Sequence, residues 1–112
     1  MNNTLLQITK EYMGAGDVEL GKKLLENYLR QRNNEGRLPS VICFYNSGVQ
    51  LLATEGEILN ILKQIESEGV KLLACKTCLD HFGLTDKLQA GIAGSMIDII
   101  TLQDNADKII AI

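Results

Sequence analysis

Short apolar runs alternate along this chain with longer stretches in which apolar residues return every three or four positions. That alternation predicts strands and helices in turn. Thr4 to Ile8 (TLLQI) reads as a first strand, followed by a loop holding Gly14 and Gly16. Asp17 then serves as an N-cap, with Glu19 in the first turn where the helix dipole favours an anion. Val18, Leu20, Leu24, Leu25, Tyr28 and Leu29 form one apolar face, so residues 17–32 should be helical. Gly21 inside that helix costs about 1 kcal/mol against Ala, which implies a neighbour packed closely there.

Asn33-Asn34-Glu35-Gly36 ends the helix, and Pro39 introduces a second strand, Val41-Ile42-Cys43-Phe44-Tyr45. Its unbroken apolar run suits a strand covered on both faces. Asn46-Ser47-Gly48 predicts a turn. Thr54-x-x-Glu57 reads as a capping box ahead of Ile58, Ile61, Leu62 and Ile65, with Gly69 as the stop. Residues 70–74 (VKLLA) make a third strand that runs straight into Cys75-Lys76-Thr77-Cys78. Thr77-x-x-Asp80 could cap a short helix through Phe82, broken at Gly83, with another helical turn at residues 85–89. Gly91-Ile92-Ala93-Gly94 is a short strand or loop. Ser95-x-x-Asp98 is a second capping box and favours helix over residues 96–105, although the β-branched run there would also suit a strand. Residues 108–112 form the last strand.

Strands alternating with helices predict an α/β three-layer fold, with a mostly parallel five-stranded sheet in a flavodoxin-like topology and residues 1–112 as a single domain. Chemistry in such sheets gathers beyond the carboxyl ends of the strands. Residues 9–16, 46–51 and 75–78 meet that condition.

With 46% apolar and 22% charged residues, the 112-residue chain can build a core, which excludes wholesale disorder. Its net charge is −3, and no basic run exceeds Lys22-Lys23. Together with the lack of Trp, this argues against nucleic acid as a partner. No stretch reaches the length of a membrane span, and Met1-Asn2-Asn3-Thr4 lacks the plan of a signal peptide. A cytoplasmic location follows, with Cys43, Cys75 and Cys78 as thiols rather than a disulfide framework.

Cys75 and Cys78 form a Cys-x-x-Cys pair at a strand-to-helix junction, where amides and dipole can stabilise a thiolate and Lys76 adds positive charge. Two buried packing cysteines are the plainer reading, but the position at the active edge favours chemistry. A thioredoxin-like dithiol would follow the first strand of its unit beside a cis-proline, and here the one proline is Pro39. His81 extends the pattern to Cys75-x-x-Cys78-x-x-His81, three potential zinc ligands with Cys43 a doubtful fourth; as a lone histidine it reads better as helix surface. Gly14, Gly16, Ser47, Gly48 and Thr77 are the anion-binding candidates through their loop amides. The two glycine loops read more simply as turns, since GxGxxG and the P-loop lysine are both missing. No cofactor is expected. Cys43, between Ile42 and Phe44, reads as packing.

The segments Gly14-x-Gly16-Asp17-x-Glu19-Leu20-Gly21, Asn46-Ser47-Gly48-Val49, Leu73-x-Cys75-x-Thr77-Cys78-Leu79 and Ala106-Asp107-Lys108-Ile109-Ile110 resemble the DsrE-like sulfur-relay family. Within it the likeness is to the carboxyl-terminal domain of YedF-type proteins, which are sulfurtransferase-like and linked to selenium metabolism. The resemblance implies a cysteine at the end of the third strand that accepts sulfur as a persulfide, with a glycine eight residues later; Cys75 and Gly83 match. Cys78 is an addition that could resolve a persulfide, share selenium or ligate metal. It also implies sulfur-donor and sulfur-acceptor partner proteins and association into a homo-oligomer, for which the apolar stretch over residues 92–100 offers a surface. YedF-type proteins usually carry a TusA-like domain ahead of this one, so the chain is either a stand-alone version or an excised domain. On this reading Cys75 should lie partly open to solvent, beside the amides of Thr77 and Cys78.

Overall fold

The computed structural model of the chain describes residues 3–112; Met1 and Asn2, part of the segment read for a signal peptide, lie outside them. Five strands form one sheet in the order β4-β3-β2-β1-β5, every neighbouring pair parallel. They are β1 (Thr4–Ile8), β2 (Val41–Phe44), β3 (Lys71–Cys75), β4 (Ile92–Gly94) and β5 (Lys108–Ala111). The expected five-stranded parallel sheet is present. Its order departs from the flavodoxin order 2-1-3-4-5: the chain steps outward from β1 to β4, then returns to lay β5 on the far side of β1.

Helix α1 (Val18–Asn34) is capped by Asp17, whose carboxylate accepts from the Leu20 N–H at 2.8 Å. A Cβ on Gly21 would stand 2.9 Å from the Met13 carbonyl and from Tyr12, so this glycine does let the first loop press against the helix. The apolar face is narrower than its pattern. Gly21, Leu25 and Leu29, one above the other at i, i+4 and i+8, are buried, while Val18, Leu20 and Leu24 are exposed.

Helix α2 (Glu57–Ser67) buries Leu59, Ile61, Leu62 and Ile65. The expected box at Thr54 does not form, because the cap is Gly56 at φ +153°, two residues later, with no side-chain bond. Gly69, at φ +100°, follows its end. Helix α3 (Lys76–His81) is likewise capped at Cys75 rather than Thr77, and the Asp80 carboxylate instead accepts the Thr85 hydroxyl at 2.6 Å. Residues 85–89 carry only a turn, tied back by the Gln89 N–H to the Leu52 carbonyl. Helix α4 (Met96–Asn105) keeps its full capping box: Ser95 Oγ accepts from the Asp98 N–H, and the Asp98 carboxylate accepts from the Ser95 N–H at 2.9 Å.

Successive steps in one direction through right-handed crossovers put α1 and α2 on one face, where they pack together; the reversed step from β4 to β5 puts α4 on the other. Leu6, Ile8, Ile42, Phe44, Leu72 and Ala74 fill the first interface. Leu5, Cys43, Leu73 and Cys75 face the second, and Gln103 of α4 reaches across it to donate to Gln7 Oε1 at 2.8 Å. Among the described residues, no helix is long and apolar enough to cross a membrane.

Candidate functional site

The parallel pairing of β2 with β3 sets their carboxyl ends side by side, Phe44 opposite Ala74. Beyond β2 the chain passes through extended Tyr45 into a 3₁₀ helix, Asn46–Leu52, instead of a simple turn. Gly48 makes this possible. A Cβ there would come 2.5 Å from the Ile8 carbonyl oxygen, so only glycine lets the helix lie on the end of β1. Asn46 takes φ +50°, a left-handed conformation that asparagine tolerates better than most residues, and its Oδ1 accepts from the Ser47 N–H at 2.8 Å.

This turn aims the Asn46 N–H at the neighbouring helix, where it donates to Cys78 Sγ at 3.0 Å. Cys78 is half-buried and lines a shallow open cleft of about 250 Å³ together with Asn46, Thr77, His81 and Phe82. Burial pushes its thiol above the usual range, and the neighbouring Cys75 thiol adds to that; the Asn46 N–H works the other way. Cys75 stands at the end of β3 with 2% of its surface exposed. Its side chain takes no helix-capping bond, so the expected open cysteine cradled by amides is replaced by a covered one. The cause is register: residue 75 shares a sheet face with Leu73, and α4 lies over that face. The pair is therefore layered, Cys78 outward and Cys75 behind it.

The remaining candidates do not converge on the pair. Gly14 and Gly16, at φ +83° and +108°, belong to the exposed loop before α1, and a Cβ at either would meet nothing within 4 Å. The Ser47 and Gly48 amides are consumed inside their own turn, by Asn46 Oδ1 and the Tyr45 carbonyl, so they do not form an open anion cradle. Thr77 does line the cleft. Cys43 is fully buried in β2, and burial pushes its thiol up to about 11, as fits a packing residue. No three His, Cys, Asp or Glu side chains among the described residues come together to hold a metal, so Cys75, Cys78 and His81 do not make the three-ligand set their spacing suggested. A larger cavity of about 360 Å³ between the starts of α1 and α2 is lined by Lys22, Lys23 and five glutamates and contains no cysteine.

Sequence reasoning missed Asn46. It stood in a loop at the carboxyl edge and in one of the segments that carry the resemblance, but asparagine before Ser-Gly pointed to a turn rather than to a contact with sulfur.

Three solved structures share the architecture along nearly their whole length. The ychN protein from E. coli is 19% identical with a TM-score of 0.73, each chain covered in full. Protein MTH1491 from Methanobacterium thermoautotrophicum, described as of unknown function, is 22% identical with a TM-score of 0.70 over 97% of both chains. The conserved protein BT1422 from Bacteroides thetaiotaomicron, also described as of unknown function, is 19% identical with a TM-score of 0.66 over 98% of this chain and 95% of its own. At these identities the likeness is one of fold. Among curated proteins no sequence matches significantly. The profile of the DsrE/DsrF-like family matches residues 25–112, which include the 3₁₀ turn and both cysteines of the site. On that match the chain belongs to the DsrE/DsrF-like family.

Proposed function

We propose that this protein is a sulfur carrier of the relay type, holding sulfur as a persulfide on the Cys75–Cys78 pair. The observation that carries the reading is the layered pair: one thiol open to a cleft and bonded by a main-chain N–H, the other directly behind it. Cys78 is the receiving thiol, since a donor protein's persulfide can reach it. Its thiolate attacks the donor's terminal sulfur; a new S–S bond forms, the donor's S–S bond breaks, and the electron pair leaves on the donor thiolate. Cys75 then takes the sulfur by the same exchange, attacking the outer sulfur of the Cys78 persulfide and releasing Cys78 as thiolate. The covered Cys75 persulfide is the carried form, shielded from bulk reductants, and the reverse exchange returns it to an acceptor thiol.

Membership of the DsrE/DsrF-like family supports a relay with partner proteins. The finer likeness to YedF-type domains extends the proposal to a TusA-like partner and to selenium as alternative cargo, in a cytoplasmic protein acting as one domain. The nearness of the two thiols supports one second reading, a dithiol redox protein that cycles a Cys75–Cys78 disulfide. Mass spectrometry after exposure to a small-molecule persulfide decides between them. The carrier gains the mass of one sulfur atom, C75S keeps the adduct on Cys78, and C78S loses loading. Loading of C78S at the parent's rate overturns the order of the two cysteines. A disulfide with no sulfur adduct overturns the carrier.

A further inference from the structure

We infer that Asn46 is the positioning residue of the site, its left-handed backbone holding a main-chain N–H on Cys78 so that the sulfur is favoured as an anion. This rests on the reading of Cys78 as the receiving thiol. A neutral thiol sulfur is a weak acceptor, whereas hydrogen bonds to ionised groups are roughly twice as strong. The 3.0 Å contact therefore gains most when Cys78 is a thiolate, and again when it departs as one after passing its sulfur inward. The N–H opposes two influences that keep the thiol protonated, burial and the Cys75 neighbour.

The aim of this amide is set where the extended Tyr45, at ψ 170°, meets the left-handed Asn46, at φ +50°. Asn46 is the only non-glycine among the described residues with positive φ. The turn is held from both sides: Asn46 Oδ1 accepts from the Ser47 N–H, and the Tyr45 carbonyl accepts from the Gly48 N–H at 3.0 Å. The titratable groups around Cys78 are Cys75 behind it and His81, three residues on along the same helix and lining the same cleft, while the 3₁₀ helix itself carries no charged side chain. The main-chain N–H is thus the one donor the neighbouring element contributes to the sulfur.

The test is the pH profile of Cys78 alkylation by iodoacetamide, read site by site by peptide mass spectrometry in the full chain. N46G retains the N–H and enters the left-handed region freely, so its midpoint should match the parent's. N46V has a β-branched side chain that resists that region, so its N–H should swing off the sulfur. Its midpoint should move up by roughly one pH unit, with alkylation about tenfold slower at neutral pH. N46A, a milder perturbation, should fall between them, which keeps the comparison informative if N46V folds poorly. A parent-like profile in both N46A and N46V overturns the assignment, as does an N46G shift as large as that of N46V. Alkylation needs no sulfur donor, so a shifted N46V profile in a protein that never loads sulfur would sink the carrier reading and leave this one standing.

Discussion

Replacing Gly48 by Ala tests whether the 3₁₀ helix rests on the end of β1 as tightly as its geometry demands. The added Cβ would meet the Ile8 carbonyl oxygen at 2.5 Å, the Ile8 carbonyl carbon at 3.2 Å and the Lys10 nitrogen at 3.2 Å. All three are main-chain atoms, so no side chain can swing aside, and the helix itself must lift. Overpacking of this kind costs up to about 3 kcal/mol. Gly48 has no left-handed φ, so Ala also narrows the unfolded ensemble, offsetting about 0.4–1 kcal/mol. The net loss is about 2 kcal/mol, a fall in Tm of about 8 °C for a chain of 112 residues. Thermal unfolding followed by far-UV circular dichroism reads it directly. Gly14 is the control, because it has φ +83° but no atom within 4 Å of its Cβ position. Gly14→Asn should be nearly neutral, since asparagine tolerates the left-handed region; Gly48→Asn should be worse than Gly48→Ala, since contact rather than conformation is the obstacle there. A G48A melt within about 2 °C of the parent, on the scale expected for a domain of this size, refutes the close approach.

Ser95→Ala removes the oxygen that accepts from the Asp98 N–H and should cost about 1 kcal/mol, seen as a lower urea midpoint. The Cys43 thiol, raised from 9.0 to about 11, is held protonated in the folded state. Its contribution to stability is therefore complete below pH 9 and is lost as pH rises through 11; Cys43→Ala should flatten that decline in denaturant titrations run on either side of pH 9. Native Cys43 should also resist alkylation at neutral pH while Cys78 reacts. Ile97 is 74% exposed, with Met96, Ile100 and Ile92 exposed beside it, so homo-oligomer formation should bury this surface. Light scattering should give a mass above the monomer for the parent and a smaller one for Ile97→Glu; a monomeric parent at micromolar concentration rejects the interface.

The sheet was legible because each strand is a short apolar run bounded by polar or glycine positions, and α4 because both residues of its capping box are in the sequence. Where a cap depended on backbone conformation, the pattern misled. Thr54 and Thr77 had acidic partners three residues on, yet α2 starts at a glycine with φ +153° and α3 starts directly at the end of β3. The 3₁₀ helix was invisible since Asn46-Ser47-Gly48 signals a turn and the three apolar residues after it, Val49, Leu51 and Leu52, are too few to set a period. Both cysteines of the site were legible from their spacing and position. Their layering was not, because alternation along β3 says only that residues 73 and 75 share a face, and which face α4 covers depends on where β5 is placed. Asn46 was hidden for a similar reason: the sulfur that its N–H reaches belongs to Cys78, far outside any local window.

The placement of β5 also sets an order of assembly. Strands β1 to β4 pair with their neighbours in the order in which they are made, so the edge that carries the cysteines can close while synthesis is still under way. The outer edge of β1 must wait for a partner roughly a hundred positions later, Thr4 aligning with Lys108. Besides the strand ladder, Asn3 helps to fasten that seam: its N–H donates to the Asp107 carboxylate at 2.9 Å, its Nδ2 donates to the Asn105 carbonyl at 3.1 Å, and its carbonyl accepts from the Asp107 N–H at 2.8 Å. Until it closes, a growing chain presents β1 as an open strand edge, a template for wrong pairing. Misfolding on the ribosome should therefore begin at β1, the strand farthest in sequence from the segment that completes it.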